Sequence, residues 1–164
     1  MISFDEAQTI AEVLKKKSPR IHGIDLFGSI VHNGHGRDAD LAVLTDEEIA
    51  RQWWHEERNE IRVRWPDALY SLRWLVKLFA PFLYATAIEK RKHRRLDRAW
   101  RILDIDVVTF PLNLDDVELF LMPVNWREGK EVNQATVEQI TGLWADKNTR
   151  GFLKRIAGDA VRIA

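Results

Sequence analysis

The chain has 164 residues, the usual size of one domain, and 46% of them are hydrophobic, which is enough to bury a core. Its 25 Lys and Arg balance its 25 Asp and Glu, which argues against a basic nucleic-acid coat protein and an acidic disordered chain. The absence of Cys excludes disulfides, thiolate metal sites and cysteine nucleophiles. We therefore expect one packed domain over residues 1–164.

The first predicted elements are a helix and two strands. Residues 3–6 read Ser-Phe-Asp-Glu, a capping box, and apolar residues at helical spacing follow it as far as Lys17. Residues 21–27 are typical of a buried strand, and residues 38–44 alternate as a second strand does. A turn-rich loop that begins with Gly28 and Ser29 joins the two predicted strands.

A helical block is predicted next, over about residues 46–102. A second capping box at residues 45–48 predicts a helix that runs toward Trp65. Pro66 ends that helix and can open another over about residues 67–79, and Pro81 precedes a third helical pattern that reaches Leu103. The block is long for a connection between two strands, so we interpret it as an elaboration of the core fold.

The C-terminal third predicts further strands and helices. Strands are expected at residues 104–110 and 117–124, a helix from the capping box at residues 136–139 to about 145, a short helix at 150–157 and an edge strand at 160–163. Strands and helices are thus intermixed. The order predicts an α/β (α+β) fold with a mixed sheet of four to five strands and helices packed on it.

Two features bear on location. The chain turns acidic at Asp5 and Glu6 and lacks the positively charged region of a secretory signal. The longest uncharged apolar run, residues 78–88, is shorter than the roughly 20 residues that a bilayer requires. We therefore expect a cytoplasmic protein without a membrane partner.

Three acidic residues form the candidate site. Asp38 and Asp40 are two residues apart on a predicted strand, so their carboxylates project from one face, and without a counter-charge one would keep its proton. Asp106 lies inside the apolar run of its own predicted strand and could supply a third carboxylate; Asp104 faces the same way and could serve instead. Carboxylate oxygens suit Mg²⁺, or Mn²⁺ in its place, and three of them would make a two-metal site for phosphoryl or nucleotidyl transfer.

A candidate phosphate-binding turn precedes these acids. Gly28 lets the backbone approach an anion, and the Ser29 hydroxyl with nearby amides can bind phosphate oxygens. A phosphate turn followed closely by an acidic strand is what a metal–nucleotide complex requires. Arg37 could neutralise triphosphate charge or pair with a neighbouring acid.

The sequences Leu-Phe-Gly-Ser at residues 26–29 and Asp-Ala-Asp-Leu at 38–41 resemble the signature of the DNA polymerase beta-type nucleotidyltransferases, especially the small bacterial minimal nucleotidyltransferases. Residues 106–110 resemble the later strand that carries the third metal-binding Asp. Residues 152–163 are similar to the helix-then-strand ending of those domains.

The resemblance implies Mg²⁺-dependent transfer of a nucleoside monophosphate, with ATP or another NTP as donor, to a hydroxyl on a small molecule, a protein or an RNA. It assigns Gly28 and Ser29 to the triphosphate, and Asp38 and Asp40 to two Mg²⁺ ions. Asp106 would complete the site and accept the proton of the hydroxyl. Several small members of the family are antitoxins that adenylylate a toxin, so a toxin–antitoxin role is one expectation.

Two other functions are compatible with the sequence. A non-catalytic, antitoxin-like module of the same fold could bind a protein partner through its Trp-rich helices, and the basic run at residues 90–101 could bind nucleic acid. The basic charges surround the helix, which favours a solvated helix, and tryptophans at helical spacing more often belong to a core. His32 and His35 are interpreted as exposed loop residues.

Overall fold

The computed structural model describes residues 1–64, 78, 81–142 and 147–164. Within these residues the chain forms short and long strands interspersed with helices. In chain order the elements are β1 (Ile2–Ser3), α1 (Phe4–Lys17), β2 (Gly23–Phe27), α2 (Ser29–Asn33), β3 (His35–Gly36), β4 (Ala39–Thr45), α3 (Glu47–Arg64), α4 (Pro81–Leu103), β5 (Val117–Pro123), β6 (Arg127–Glu128), β7 (Glu131–Val132), α5 (Gln134–Thr141), α6 (Lys147–Asp159) and β8 (Val161–Arg162).

A four-stranded mixed sheet with the strand order β5-β4-β2-β8 organises the fold. Strand β2 is antiparallel to both β4 and β8, whereas β4 and β5 are parallel. The inner strands are buried along almost their whole length, as expected for apolar runs in the middle of a sheet. The predicted α+β fold with a mixed sheet is confirmed.

Helix α1 forms as its capping box predicts. The Ser3 hydroxyl accepts a hydrogen bond from the Glu6 amide, and the Glu6 carboxylate accepts one from the Ser3 amide at 2.7 Å. The apolar positions of the helix, spaced three and four residues apart, are buried in the core. The carboxylate–amide bond to Ser3 lowers the pKa of Glu6.

Helices α3 and α4 lie between β4 and β5 along the chain, within the block predicted as a helical elaboration. Pro81 begins α4, in keeping with the tolerance for proline in the first turn of a helix. Two predictions lie outside the described residues. They are the end of the first helix near Trp65 and, apart from Leu78, the helix over residues 67–79. No helix in the described ranges has the length and apolar composition needed to cross a membrane.

The strand predicted over residues 104–110 is wrong, because this segment is a turn that ends α4. Asp104 has a left-handed backbone conformation (φ 57°). Its amide donates a hydrogen bond to the Arg101 carbonyl, and the Ile105 amide donates one to the Trp100 carbonyl. These two bonds form a Schellman motif, which closes a helix. The β-branched Val108 that suggested a strand is 95% exposed, and β5 takes the place beside β4.

The C-terminal elements follow the predictions with shifted bounds. Helix α5 begins at Gln134, because the Asn133 side chain accepts a hydrogen bond from the Thr136 amide. The capping residue is therefore Asn133, and the predicted cap at residue 136 is wrong. Helix α6 is longer than predicted and continues into Asp159. Strand β8 lies at the edge of the main sheet, as predicted.

Candidate functional site

The register of three strands aligns an aromatic and two acidic side chains at one end of the sheet. Phe27 of β2 is paired with Asp40 of β4, and Asp40 is paired with Glu118 of β5. Paired residues on neighbouring strands project from the same face, so these side chains form a row. The row lines a cavity of about 320 Å³, to which Ser29 and helix α6 also contribute.

Gly28 carries the chain across the end of β2 and directly over Asp40. Its φ of 80° is a conformation that side chains disfavour, and a Cβ at this position would overlap Oδ2 of Asp40. Ser29 follows as the first residue of α2 and lines the same cavity as Asp40. The structure thus brings together the Gly-Ser turn and the second aspartate, which the sequence analysis assigned to one site.

Asp40 is half-buried at the centre of the row. Burial, and after it the negative charges of Glu118 and Asp38, raise the pKa of Asp40 from 3.8 to about 7, while Lys92 opposes the rise. Burial is the main cause of this rise in pKa, and the two neighbouring carboxylates add to it. A carboxyl group with a strongly shifted pKa that lines a cavity is a candidate functional residue.

Asp38 precedes β4 and is bound by a lysine from α4. Lys92 Nζ donates to Asp38 Oδ1 at 2.8 Å, and the Lys92 side chain is only 6% exposed. The negative charge of Asp38 contributes to the raised pKa of Asp40, but Asp38 lies before β4 and does not line the cavity. Sequence reasoning missed Lys92, because nothing in the basic run distinguishes it from the lysines and arginines around it.

Glu118, rather than Asp106, is the third acid beside Asp40. It is the strand partner of Asp40 and lines the same cavity, and Arg95 Nη1 donates to its Oε1 at 2.9 Å. The sequence analysis did not single out Glu118, although a signal was present. Glu118 is the one charged residue within the otherwise apolar strand Val117–Pro123.

Asp106 does not reach this site. It is exposed in the turn after α4, it does not line the cavity, and its Oδ1 accepts the Val108 amide at 3.0 Å. The structure does not bring Asp106 to the site as a third carboxylate, because the predicted strand that would have carried it to the sheet is absent from the described residues. The alternative, Asp104, is exposed at the end of α4.

Arg37 also lies away from the cavity lining. Its side chain is 84% exposed, and its Nη2 is 3.5 Å from Glu89 Oε1. Of the two roles considered for Arg37, the geometry supports pairing with a neighbouring acid. His32 is exposed, as interpreted, but it belongs to the short helix α2 and lines the cavity, where its Nε2 lies 3.2 Å from Asp159 Oδ2.

Aromatic rings also line the cavity. The rings of Phe27, Phe120 and Phe152 are mutual neighbours, with centroids 6.1 to 6.5 Å apart. Arg155 lies over the Phe152 ring at 5.6 Å and lines the cavity from α6. The cavity therefore combines carboxylates that suit a cation, rings that suit a planar group and a guanidinium that suits an anion.

The basic run on α4 is largely engaged by acids within the protein. Buried Glu57 of α3 binds Arg91, Arg95 and Arg98, and further arginines of the run bind Glu56 and Glu60. Of the described tryptophans, those on α3 and α4 are Trp53, Trp54 and Trp100, and all are buried in the core. Neither the basic run nor these tryptophans form a free binding surface.

The acids were also tested as a cation site. In the described part of the chain, no three His, Cys, Asp or Glu side chains are arranged to hold a metal ion. Mg²⁺, however, is commonly bound through one or two carboxylates, with water and substrate phosphates completing its shell. Asp40 and Glu118 line one cavity and are paired across strands β4 and β5. These residues fit one divalent cation; the predicted set of Asp38, Asp40 and Asp106 is not assembled.

Comparison of the chain with known protein families, with curated proteins and with solved structures gave no match.

Proposed function

We propose that the protein is a Mg²⁺-dependent nucleotidyltransferase that moves a nucleoside monophosphate from an NTP, in the first place ATP, to a hydroxyl group. The observation that carries the proposal is the convergence of Gly28, Ser29, Asp40 and Glu118 on one cavity. A glycine-serine turn suits phosphate oxygens, and a carboxylate pair suits the cation that accompanies a triphosphate.

The remaining lining of the cavity supports the same ligand. Rings of Phe27, Phe120 and Phe152 offer a surface for a planar base, and Arg155 offers a guanidinium for a phosphate. The volume of about 320 Å³ falls in the range of small-molecule sites. An open cavity of this size leaves one end of a nucleotide accessible to a second substrate.

Each side chain has a distinct role in the proposed reaction. Gly28 and Ser29 hold the triphosphate, and Asp40 with Glu118 would hold Mg²⁺, which when bound neutralises phosphate charge. The acceptor oxygen attacks the α-phosphorus in line, the bond from that phosphorus to the α–β bridging oxygen breaks, and pyrophosphate leaves. Glu118 accepts the proton of the acceptor hydroxyl, the role that the resemblance had assigned to Asp106.

The two alternative functions have less support. A nucleic-acid surface on α4 would need its arginines free for phosphates, yet Arg91, Arg95 and Arg98 bind Glu57. A partner surface made by tryptophans would need them exposed, yet the described ones on α3 and α4 belong to the core. A catalytic role in a toxin–antitoxin pair, with a protein as the acceptor, remains within the proposal.

The experiment uses ATP labelled either at the α- or at the γ-phosphate, with Mg²⁺ and a lysate as the source of acceptors. Nucleotidyl transfer predicts that a product acquires the α-label and not the γ-label, and that pyrophosphate is released. The same protein should melt at a higher temperature with ATP and Mg²⁺ than with either alone. Transfer of the γ-label would identify a phosphoryl transferase instead.

Matched variants locate the activity. Asp40→Asn and Glu118→Gln should each lower α-label transfer at least about a hundredfold, the scale typical of lost electrostatic or acid–base groups. Asp106→Asn is the control and should retain both transfer and the thermal shift, because Asp106 lies outside the cavity. If the wild-type protein shows neither thermal shift nor label transfer, the proposed function is wrong.

A further inference from the structure

Lys92 is an unusual neighbour for a cation site. Its side chain is 6% exposed, and its ammonium group is bound at 2.8 Å to Asp38, which is 30% exposed. A buried ammonium is costly unless an anion compensates it, so the lysine and the aspartate hold each other in place. The ammonium group thus supplies Asp38 with the positive charge that a metal ion would otherwise supply.

Arg95 provides a second basic group from the same helix. It lies three residues after Lys92, on the same side of α4, and its Nη1 is 2.9 Å from Glu118 Oε1. Its side chain is 11% exposed and also binds Glu57, which fixes the guanidinium from the other side. Two of the three site carboxylates therefore already have a basic partner from α4.

The charges limit how many divalent cations the site can hold. Asp38, Asp40 and Glu118 carry three negative charges when ionised; Lys92 offsets one, and Arg95, whose charge is shared with Glu57, offsets part of another, so one to two negative charges remain. Two divalent cations would bring four positive charges into the same space, and a buried excess of like charge is strongly unfavourable. One divalent cation, with phosphates as additional ligands, is compatible with this balance.

We infer that Lys92 is a resident cation that takes the place of one of two divalent ions, so that the protein alone binds one divalent cation, held by Asp40 and Glu118. The inference rests on the proposed function, because it concerns the cation of that site. It predicts that removal of the ammonium group frees Asp38 and creates a second metal position next to Asp40.

Mn²⁺ is the probe, because the electron paramagnetic resonance signal of free Mn²⁺ disappears when the ion is bound. The whole chain, stripped of metals, is titrated with Mn²⁺ without nucleotide, so that no ion enters with a triphosphate. The wild type should bind one Mn²⁺ per chain. Lys92→Met, which keeps the length and apolar stem of the side chain, should bind two.

Two control variants separate this effect from a change in net charge. Lys90→Met removes an exposed lysine from the same helix and should leave the stoichiometry at one. Lys92→Arg retains the positive charge and should also bind one Mn²⁺. Circular dichroism melting checks that each variant is folded, and the wild-type stoichiometry decides the first half of the inference even if Lys92→Met does not fold.

The outcomes distinguish this inference from the proposed function. Two Mn²⁺ per wild-type chain, or one per chain in folded Lys92→Met, would overturn the role of Lys92 and leave nucleotidyl transfer standing if label transfer is observed. No bound Mn²⁺ in either protein would overturn the inference alone, because the metal dependence of the proposed function is tested separately by label transfer from ATP with and without Mg²⁺. One Mn²⁺ in the wild type and two in Lys92→Met supports it.

Discussion

At the scale of single residues, Asp40 shows how an acidic group buried in the proposed site lowers the stability of the fold. Its carboxyl group is half-buried between Glu118 and Asp38, and burial followed by these two charges raises its pKa to about 7. The unfolded chain has no such environment, so its Asp40 ionises near 3.8. The folded protein therefore binds a proton at Asp40 more tightly than the unfolded chain does, and it loses stability as pH rises between these two values.

Asp40→Asn is expected to stabilise the metal-free protein. The gain should be absent near pH 4, grow up to about pH 7 and stay constant above it, with a size of roughly 2–4 kcal/mol, since one pKa unit corresponds to about 1.4 kcal/mol. Urea denaturation in the presence of a chelator, repeated between pH 4 and pH 8, measures the difference from the wild type.

Exposed Asp106 gives the matched comparison for this titration. Asp106→Asn should change the free energy of unfolding by less than about 0.5 kcal/mol throughout the pH range, as surface substitutions usually do. A gain for Asp40→Asn that is the same at pH 4 and pH 8 would show that repulsion at the ionised Asp40 does not destabilise the fold.

At the scale of secondary-structure elements, helices α3 and α4 are joined by a buried ion network centred on Glu57. Its side chain is 3% exposed and binds Arg91, Arg95 and Arg98 of α4. Burial acts to raise the pKa of Glu57, but Arg95 and Arg98 lower it below its ordinary value. Because Arg95 also binds Glu118, the network connects the packing of two helices with the acid row of the site.

Glu57→Gln should destabilise the protein by about 3 kcal/mol at pH 7, because it leaves buried guanidinium groups without their shared anion. Chemical denaturation followed by circular dichroism measures the loss. Glu12→Gln, on the exposed side of α1, is the control and should cost less than about 0.5 kcal/mol. Equal stability of the two variants would mean that the arginines find other partners or water.

The elements that could be predicted are those with strong local signals. The capping box of α1 and the apolar runs of β2, β4 and β5 depend on residues close together in sequence, and the structure has all four. Residues 104–110 contain a similar apolar run, yet they form a turn. They do not form a strand, because the Schellman motif at Asp104 ends α4 there and β5 occupies the position beside β4.

The candidate site was predictable only in its N-terminal half. Gly28, Ser29 and Asp40 lie within 13 residues of each other, so their proximity follows from the pairing of β2 with β4 across a short connection. Glu118 joins them through strand pairing, and Lys92 through the packing of α4, across 78 and 54 positions of sequence respectively. A single sequence contains no periodicity that reports such pairing, which is why Glu118 and Lys92 were missed.

At the scale of the whole molecule, one buried aspartate connects parts of the chain that are far apart in sequence. Asp25 of β2 is fully buried, and its Oδ2 accepts hydrogen bonds from Arg127 Nε at 2.9 Å and Trp126 Nε1 at 3.2 Å. Its Oδ1 accepts a bond from Arg162 of the edge strand β8. The centre of the sheet, its edge strand and the segment at β6 therefore share one anion.

Asp25→Asn should cost about 3 kcal/mol of stability at pH 7, because two guanidinium groups lose the charge that compensates them. Burial acts to raise the pKa of Asp25, but the bonds from Arg127 and Arg162 hold it below 3.8, its value without these contacts. The carboxylate therefore stabilises the fold above that value, and the difference between wild type and variant should shrink as pH falls through it. Urea denaturation at pH 7 and pH 3 measures both quantities.

Asp97→Asn, on the exposed surface of α4, is the control and should show neither the loss of stability nor its pH dependence. If Asp25→Asn loses the same stability at pH 3 as at pH 7, the loss comes from packing. The ion pairs of Asp25 would then not stabilise the attachment of β8 to the sheet.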